Sequence, residues 1–274
     1  MKSKLIESFK NKAFTYDEYS YLQREVNSRL SSRLSLIKHS PEYILDIGSG
    51  TGELSLSLHN KFPNAHIYSS DICIEMLEIH KNKKDQSFKI VADAEALPFR
   101  EDSFDTVLSS LTFHWCKIDE YFFSNFLKIL KPGGLLLFSA AGPNTLREFR
   151  ECSFDISSKL ELNHFLDMHH YGDYLLKSAF DDPVVDSETI IVQFSSFNSL
   201  MDSLRKTGTN FCMSSHKRNF ISKTEYKDIK SSTYNSDKNC YELTFEIIFG
   251  YAIKLPKNPI KPGNLIEIKE VKKE

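Results

Sequence analysis

From residue 43 onward, short apolar runs alternate with stretches whose apolar positions fall three and four apart. "YILDIG" (43–48), "AHIYSSD" (65–71), "FKIVADA" (88–94), "FDTVLSS" (104–110) and "LLLFSAA" (135–141) read as strands. Between them, "GELSLSLHNKF" (52–62), "IEMLEIHKNK" (74–83) and "YFFSNFLKIL" (121–130) read as helices, and "KPGG" (131–134) as a turn. Strands alternating with helices imply a mostly parallel sheet covered on both faces. Ahead of the first strand, residues 4–38 place Leu22, Val26, Leu30, Leu34 and Ile37 at helical spacing, which predicts one or two helices. After Gly142 the rhythm breaks. Residues 143–166 read as an inserted helical segment, 172–180 as a helix and 188–194 as a strand. Residues 198–208 form a helix that Gly208 stops, and 241–254 a long last strand. Residues 209–240 carry no clear period, and the Lys- and Pro-rich residues 255–274 read as a mobile tail.

Composition narrows the function classes. The 41% of hydrophobic residues among 274 is enough for a sizeable core. The 35 basic and 37 acidic side chains leave a net charge of −2, without the broad basic footprint of a nucleic-acid binder. Two local excesses remain: eight basic against four acidic residues in 2–38, and five against two in 216–230. They are either solvated helix faces or docking patches for an acidic partner. The five cysteines (Cys73, Cys116, Cys152, Cys212, Cys240) are odd in number and dispersed, so reduced thiols fit better than disulfides or a zinc ribbon. The N-terminus lacks an apolar signal core, and no run approaches a membrane span. A cytoplasmic chain without membrane contact is the expectation.

The stretch "ILDIGSGTGELSLSL" (44–58) sets Gly48, Gly50 and Gly52 between a strand and a helix. Such a turn lets a ligand approach the backbone and face the unpaired first N–H groups of the helix. The spacing is GxGxG, not the GxGxxG of dinucleotide enzymes. Asp46, two residues before the first glycine, suits a ligand that carries positive charge. Asp71 ends the next strand, where an acid accepts hydrogen bonds from ribose hydroxyls, and Asp93 ends the third, where an adenine amino group would lie. Ile72, Ala94 and Ser110 complete this candidate set. A cationic nucleoside, S-adenosylmethionine, satisfies all of it. "FDTVLSS…LKPGGLLLF" resembles the fourth and fifth strands of the class I methyltransferase superfamily over residues 40–142. That resemblance implies a Rossmann-like fold: seven mostly parallel strands, helices on both faces and a helical lid.

The flanks carry a narrower resemblance. They are "SFKNKAFTYDEYSYLQREVNSRL" (8–30), "SSLTFHWC" (109–116), "SAAGPNTLREFR" (139–150), "LNHFLDMHHYGDYLLKSAF" (162–180), "LRKTGTNF" (204–211) and "LTFEIIFGYA" (243–252). Across residues 8–254 the chain resembles the malonyl-acyl-carrier-protein O-methyltransferases of biotin synthesis. Two departures stand out: His114 replaces the Gln common before the tryptophan, and residues 212–240 lack a glycine-rich pattern. The resemblance implies methyl transfer from S-adenosylmethionine to the free carboxylate of malonyl-acyl-carrier protein, masking it as a primer toward pimelate. It divides the chain into a lid segment (1–38), the methyltransferase domain (39–254) with an inserted lid at about 143–166 and a variable segment at 209–240, and a tail (255–274). A malonyl carboxylate is already ionised near neutral pH, with a pKa of about 4, so neither a general base nor a metal is required. The expected substrate contacts are Tyr16, His114 and Trp115, with Gln23 sharing a helix face with Tyr16 seven residues on. Arg147 and Arg150 could meet the carboxylate or the carrier, and Lys217, Arg218 and Lys223 the acidic carrier. The spacing of His164, His169 and His170 does not suggest a metal. Methylation of a small molecule such as a quinone precursor, or a methyltransferase-like assembly factor, remain the rival readings.

Overall fold

The computed structural model describes residues 2–37, 40–83, 86–155, 163–208 and 223–256. Helices α1 (Lys2–Lys10), α2 (Tyr16–Tyr19) and α3 (Tyr21–Leu36) precede β1 (Tyr43–Ile47). Next come α4 (Glu53–Lys61), β2 (His66–Asp71), α5 (Ile74–Lys81), β3 (Phe88–Val91), β4 (Phe104–Ser110), α6 (Phe122–Ile129) and β5 (Leu130–Ala141). The remainder holds α7 (Arg147–Asp155), α8 (Met168–Lys177), β6 (Asp181–Phe194), α9 (Phe197–Thr207), α10 (Lys223–Ser232), β7 (Tyr234–Asn235) and β8 (Cys240–Ile253).

The strands lie in the order β3-β2-β1-β4-β5-β8-β6, with the two-residue β7 added on β8. The sheet therefore has eight strands where seven were expected. β1 to β5 pair in parallel, and β8 runs antiparallel to β5 and β6. The chain steps outward from β1 to β3, then returns to β4 on the other side of β1. That reversal leaves a crevice beyond the carboxyl end of β1, the usual ligand position in such sheets.

Period-two alternation distributes the strand residues between two cores. Leu135 and Leu137 face α3, α4 and α9, where Val26, Leu30, Leu34, Leu58 and Leu200 are buried. Leu136, Phe138 and Ala140 face α6 and α8 on the opposite side. There Phe113, Phe122, Phe123, Phe126 and Tyr171 interlock with Phe138, and burial of each such ring contributes about 2 kcal/mol. Phe138 packs directly against Gly250 of β8: a Cβ there would sit 2.2 Å from the Phe138 ring.

Several boundaries differ from the sequence reading. "KPGG" is the opening of β5, because the chain after β8 continues alongside it: Gly133 N donates to Lys254 O at 2.8 Å and Lys254 N to Gly134 O at 2.9 Å. β6 starts at Asp181, seven residues before the expected strand, and pairs with β8 through Phe194, with a register shift between Asp181 and Val184. Its polar first half hid it, since an edge strand needs no apolar run. α8 starts at Met168, because the Asp167 carboxylate caps the His169 N–H at 2.9 Å. β3 stops at Val91, so Asp93 lies just beyond the strand, bridged to Ala96. Gly208 ends α9 with φ +81, as read. The unassigned residues 209–240 contain α10 and β7; 209–222 and the tail from 257 lie outside the described residues.

Candidate functional site

The three glycines of the first turn all have positive φ, but they answer to different neighbours. A Cβ on Gly48 would lie 1.9 Å from the Thr112 hydroxyl oxygen, and one on Gly52 1.9 Å from the His80 ring. These two are glycine because the protein itself fills the space. Gly50 has nothing within 4 Å of its Cβ position. It faces a cavity at the carboxyl ends of β1, β2 and β4, lined also by Gly48 and Ser49. Gly52, expected to touch a ligand, does not line that cavity; His80 lies against its α-carbon instead.

Acids ring this end. Asp46 lines the cavity but is only 1% exposed, and Ser55 donates to it at 2.5 Å. The Asp71 carboxylate accepts from Gly50 N at 2.9 Å and from Cys73 N at 2.8 Å, which fixes its plane. Burial raises its pKa, and the backbone donors Cys73, Gly50 and Ile72 oppose that rise. Ile72, Ala94 and Ser110 line the same space. Asp93 lines it too, but Lys2 reaches across from α1 to its Oδ2 at 2.5 Å and to Glu95 at 3.0 Å.

The N-terminal helices cover this end. Lys10 pairs with Glu75 at 2.8 Å, Lys83 with Asp17 at 2.8 Å, and the Thr51 hydroxyl donates to Asp17. Tyr16 and Gln23 line the cavity together, although Ser20 breaks the single helix expected between them. The Gln23 side chain hydrogen-bonds the Tyr16 hydroxyl. Burial, and then the charges of Asp71, Asp17 and Glu53, raise the Tyr16 pKa, so this hydroxyl is a neutral donor at any physiological pH.

His114 and Trp115 enter from the other side. Leu111 turns the chain out of β4 with φ +51, a strained position for a branched residue beside a cavity. Phe113 then locks into the aromatic core, 5.1 Å from each of Phe122, Phe126 and Phe138. The next two side chains are thereby presented to the cavity. The Phe9 ring centre stands 5.8 Å from that of Trp115 and the Phe165 ring centre 5.4 Å from that of His114, both pairs edge to face. Burial pushes the His114 pKa down to about 3, so the ring is neutral. Its Nδ1 accepts from Ala141 N at 3.4 Å, which places the ring proton on Nε2 as a donor.

Other candidates lie elsewhere. Arg147 is exposed and leans on Glu151 at 3.7 Å. Arg150 is committed to backbone: Nε donates to Thr145 O at 2.9 Å and Nη2 to Asn163 O at 2.7 Å. Neither lines the cavity. Lys223 is exposed at the start of α10, and Lys217 and Arg218 lie outside the described residues. The basic excess of residues 2–38 is largely absorbed within the molecule. Besides Lys2 and Lys10, Arg29 pairs with Glu25 and Glu188, and Arg33 with Asp186 and Glu188. Sequence reasoning missed Lys2, Thr112 and Phe165. Only the position of Thr112, just after a strand end, gave any signal. Among the described residues, no group of three or more His, Cys, Asp or Glu could hold a metal, and no helix is long and apolar enough to cross a membrane.

Residues 45–138 match the methyltransferase domain family. A malonyl-acyl-carrier-protein O-methyltransferase of Laribacter hongkongensis is 31% identical, covering 94% of this chain and 91% of its own length. The chain belongs to the malonyl-acyl-carrier-protein O-methyltransferase family. A second member of this O-methyltransferase family, from Gallionella capsiferriformans, is 32% identical over 92% of this chain and 91% of its own. Among solved structures, the phosphoethanolamine N-methyltransferase 2 of Haemonchus contortus, in complex with S-adenosyl-L-methionine, superposes with TM-score 0.57 at 19% identity, covering 90% of this chain and 57% of that one. The fold is thus that of the S-adenosylmethionine-dependent methyltransferases. The O-methyltransferase kinship extends through both flanks of the matched domain.

Proposed function

We propose that the protein transfers the methyl group of S-adenosylmethionine to the free carboxylate of malonyl-acyl-carrier protein. The methyl ester would serve as the primer for the pimelate moiety of biotin. The observation that carries this reading is kinship over more than nine-tenths of the chain, flanks included, with enzymes of that name.

The residues of the cavity suit both reactants. Gly50 leaves a face that any Cβ would fill, Asp71 is held with both oxygens aimed by backbone donors, and Asp46 adds negative charge for a cationic donor. Asp46, Gly48, Gly50, Asp71, Ile72, Asp93, Ala94 and Ser110 form the proposed donor site. S-adenosylmethionine, when bound, supplies a methyl carbon that its sulfonium has already activated. What is left for the chain is to hold a carboxylate in line and keep water away. Tyr16 and the Nε2–H of His114 are neutral donors, able to orient a carboxylate without taking its charge. Trp115 and Phe9 exclude water beside them. Such positioning can contribute about 7–11 kcal/mol. Neutral His114 occupies the place of the family's usual glutamine with a comparable N–H donor. Soluble partners follow from this reading: an acidic carrier protein and no nucleic acid.

Mass spectrometry of malonyl-carrier protein incubated with enzyme and S-adenosylmethionine tests the proposal. The expected product is one methyl ester per malonyl group, lost on mild saponification. An unchanged carrier alongside a methylated quinol would overturn it in favour of a small-molecule enzyme. Absence of S-adenosylmethionine binding by calorimetry would favour an assembly factor.

A further inference from the structure

We propose that Phe165 sets the length of acyl chain this enzyme accepts, and that Arg150 acts as the positioning residue that holds Phe165 in place. The proposal rests on the carrier-bound malonyl reading above. The cavity changes character along its length. Beyond His114, away from the acids, its wall is Ala141, Thr145, Phe165, Phe245 and Ile247. An acyl chain whose carboxylate meets Tyr16 and His114 would run along this apolar wall on its way to the thioester and the carrier. Phe165 narrows that passage, its ring centre 5.4 Å from that of His114 with the planes at 88°.

The ring follows a tethered stretch of backbone, because the Asn163 carbonyl two residues before it is held by Arg150. Arg150 grips Thr145 O, where the chain leaves β5, and Asn163 O, where it returns. Its guanidinium lies 5.9 Å from the Phe165 ring centre. The helix that bears Arg150 is itself pinned: buried Glu148 accepts from Thr244 N at 3.1 Å and from the Thr244 hydroxyl at 2.5 Å. One planar fork therefore joins two backbone carbonyls, a task that a lysine ammonium with its single nitrogen performs poorly. A fixed aromatic wall resists extra methylenes, each worth roughly 10- to 200-fold in kcat/KM when a pocket is rigid.

The test loads the carrier with malonyl or glutaryl groups and compares kcat/KM for the two. Wild-type enzyme should favour malonyl strongly. F165A should lower the malonyl-to-glutaryl ratio by about tenfold or more, with the dissociation constant for S-adenosylmethionine unchanged. F165L, which keeps most of the volume, should lower it less, and R150K should shift it in the same direction through KM on malonyl-carrier rather than through donor binding. An unchanged ratio in F165A and F165L that still bind donor would overturn the proposal. Wild-type enzyme inactive on malonyl-carrier would overturn the functional reading as well, an outcome distinct from an unchanged ratio in active variants.

Discussion

The two ends of the cavity are built in different ways. At the acidic end the recognition elements are consecutive in sequence: strand, glycine turn, helix, then an acid at the next strand end. Backbone groups do much of the work there, since Gly50 and Cys73 aim the Asp71 carboxylate. At the apolar end the wall is assembled from Ala141 of β5, Thr145 and Phe165 after it, and Phe245 and Ile247 of β8, segments far apart in sequence. The first design orients its carboxylate through main-chain donors set by the local chain path. The second depends on side chains holding other segments in place, and so can be retuned one residue at a time.

The comparison can be broken most forcefully at the glycines. Gly52→Ala should destabilise the fold by about 3 kcal/mol, since the Cβ must displace His80 as well as adopt a left-handed backbone. Gly50→Ala, with open space before it, should cost about 1–2 kcal/mol in stability while weakening donor binding. Thermal melts and calorimetry on the pair check this; equal melting losses would refute the division of roles. Asp71→Ala removes two charge-assisted contacts and should weaken S-adenosylmethionine binding by about 100-fold, with the malonyl-to-glutaryl preference untouched. Unchanged affinity would remove Asp71 from the donor site. Tyr16→Phe should reduce turnover by about tenfold with little effect on donor affinity, and a pure donor defect would reassign that hydroxyl.

A further effect concerns pH. His114 titrates near 6.5 when unfolded and is pushed down to about 3 in the folded chain. Between those values the unfolded state binds the extra proton, so stability rises with pH from about 3 to about 6.5 and is then level. His114→Gln should flatten that part of the melting profile. In the native enzyme no kinetic inflection near 6.5 should trace to this residue.

The sequence made the acidic end readable because its signals are local. A glycine turn, a strand-end acid and a period-two strand each fit within ten residues. What joined distant segments was not readable. Lys2 meets Asp93 across 91 positions, and nothing in either neighbourhood announces it. Arg150 looked like a free cation because its two acceptors are carbonyls, which sequence does not distinguish. Tyr16 and Gln23 did come together, but through a break at Ser20 rather than along one helix. The basic character of residues 2–38 suggested a docking face, yet Arg29 and Arg33 spend it on acids of β6.

That last arrangement has a consequence for how molecules meet one another. β6 is fourteen residues long and lies at the border of the sheet, where unpaired backbone groups invite a strand from another molecule. Pro183 removes one donor from that border, and Asp181, Asp182, Asp186 and Glu188 line it with negative charge. Arg29 and Arg33 lay a helix's cations along the same stretch. The border is thereby made a poor template for cross-molecular β-pairing, and a chain stripped of these charges would be prone to aggregate while its cavity stayed intact.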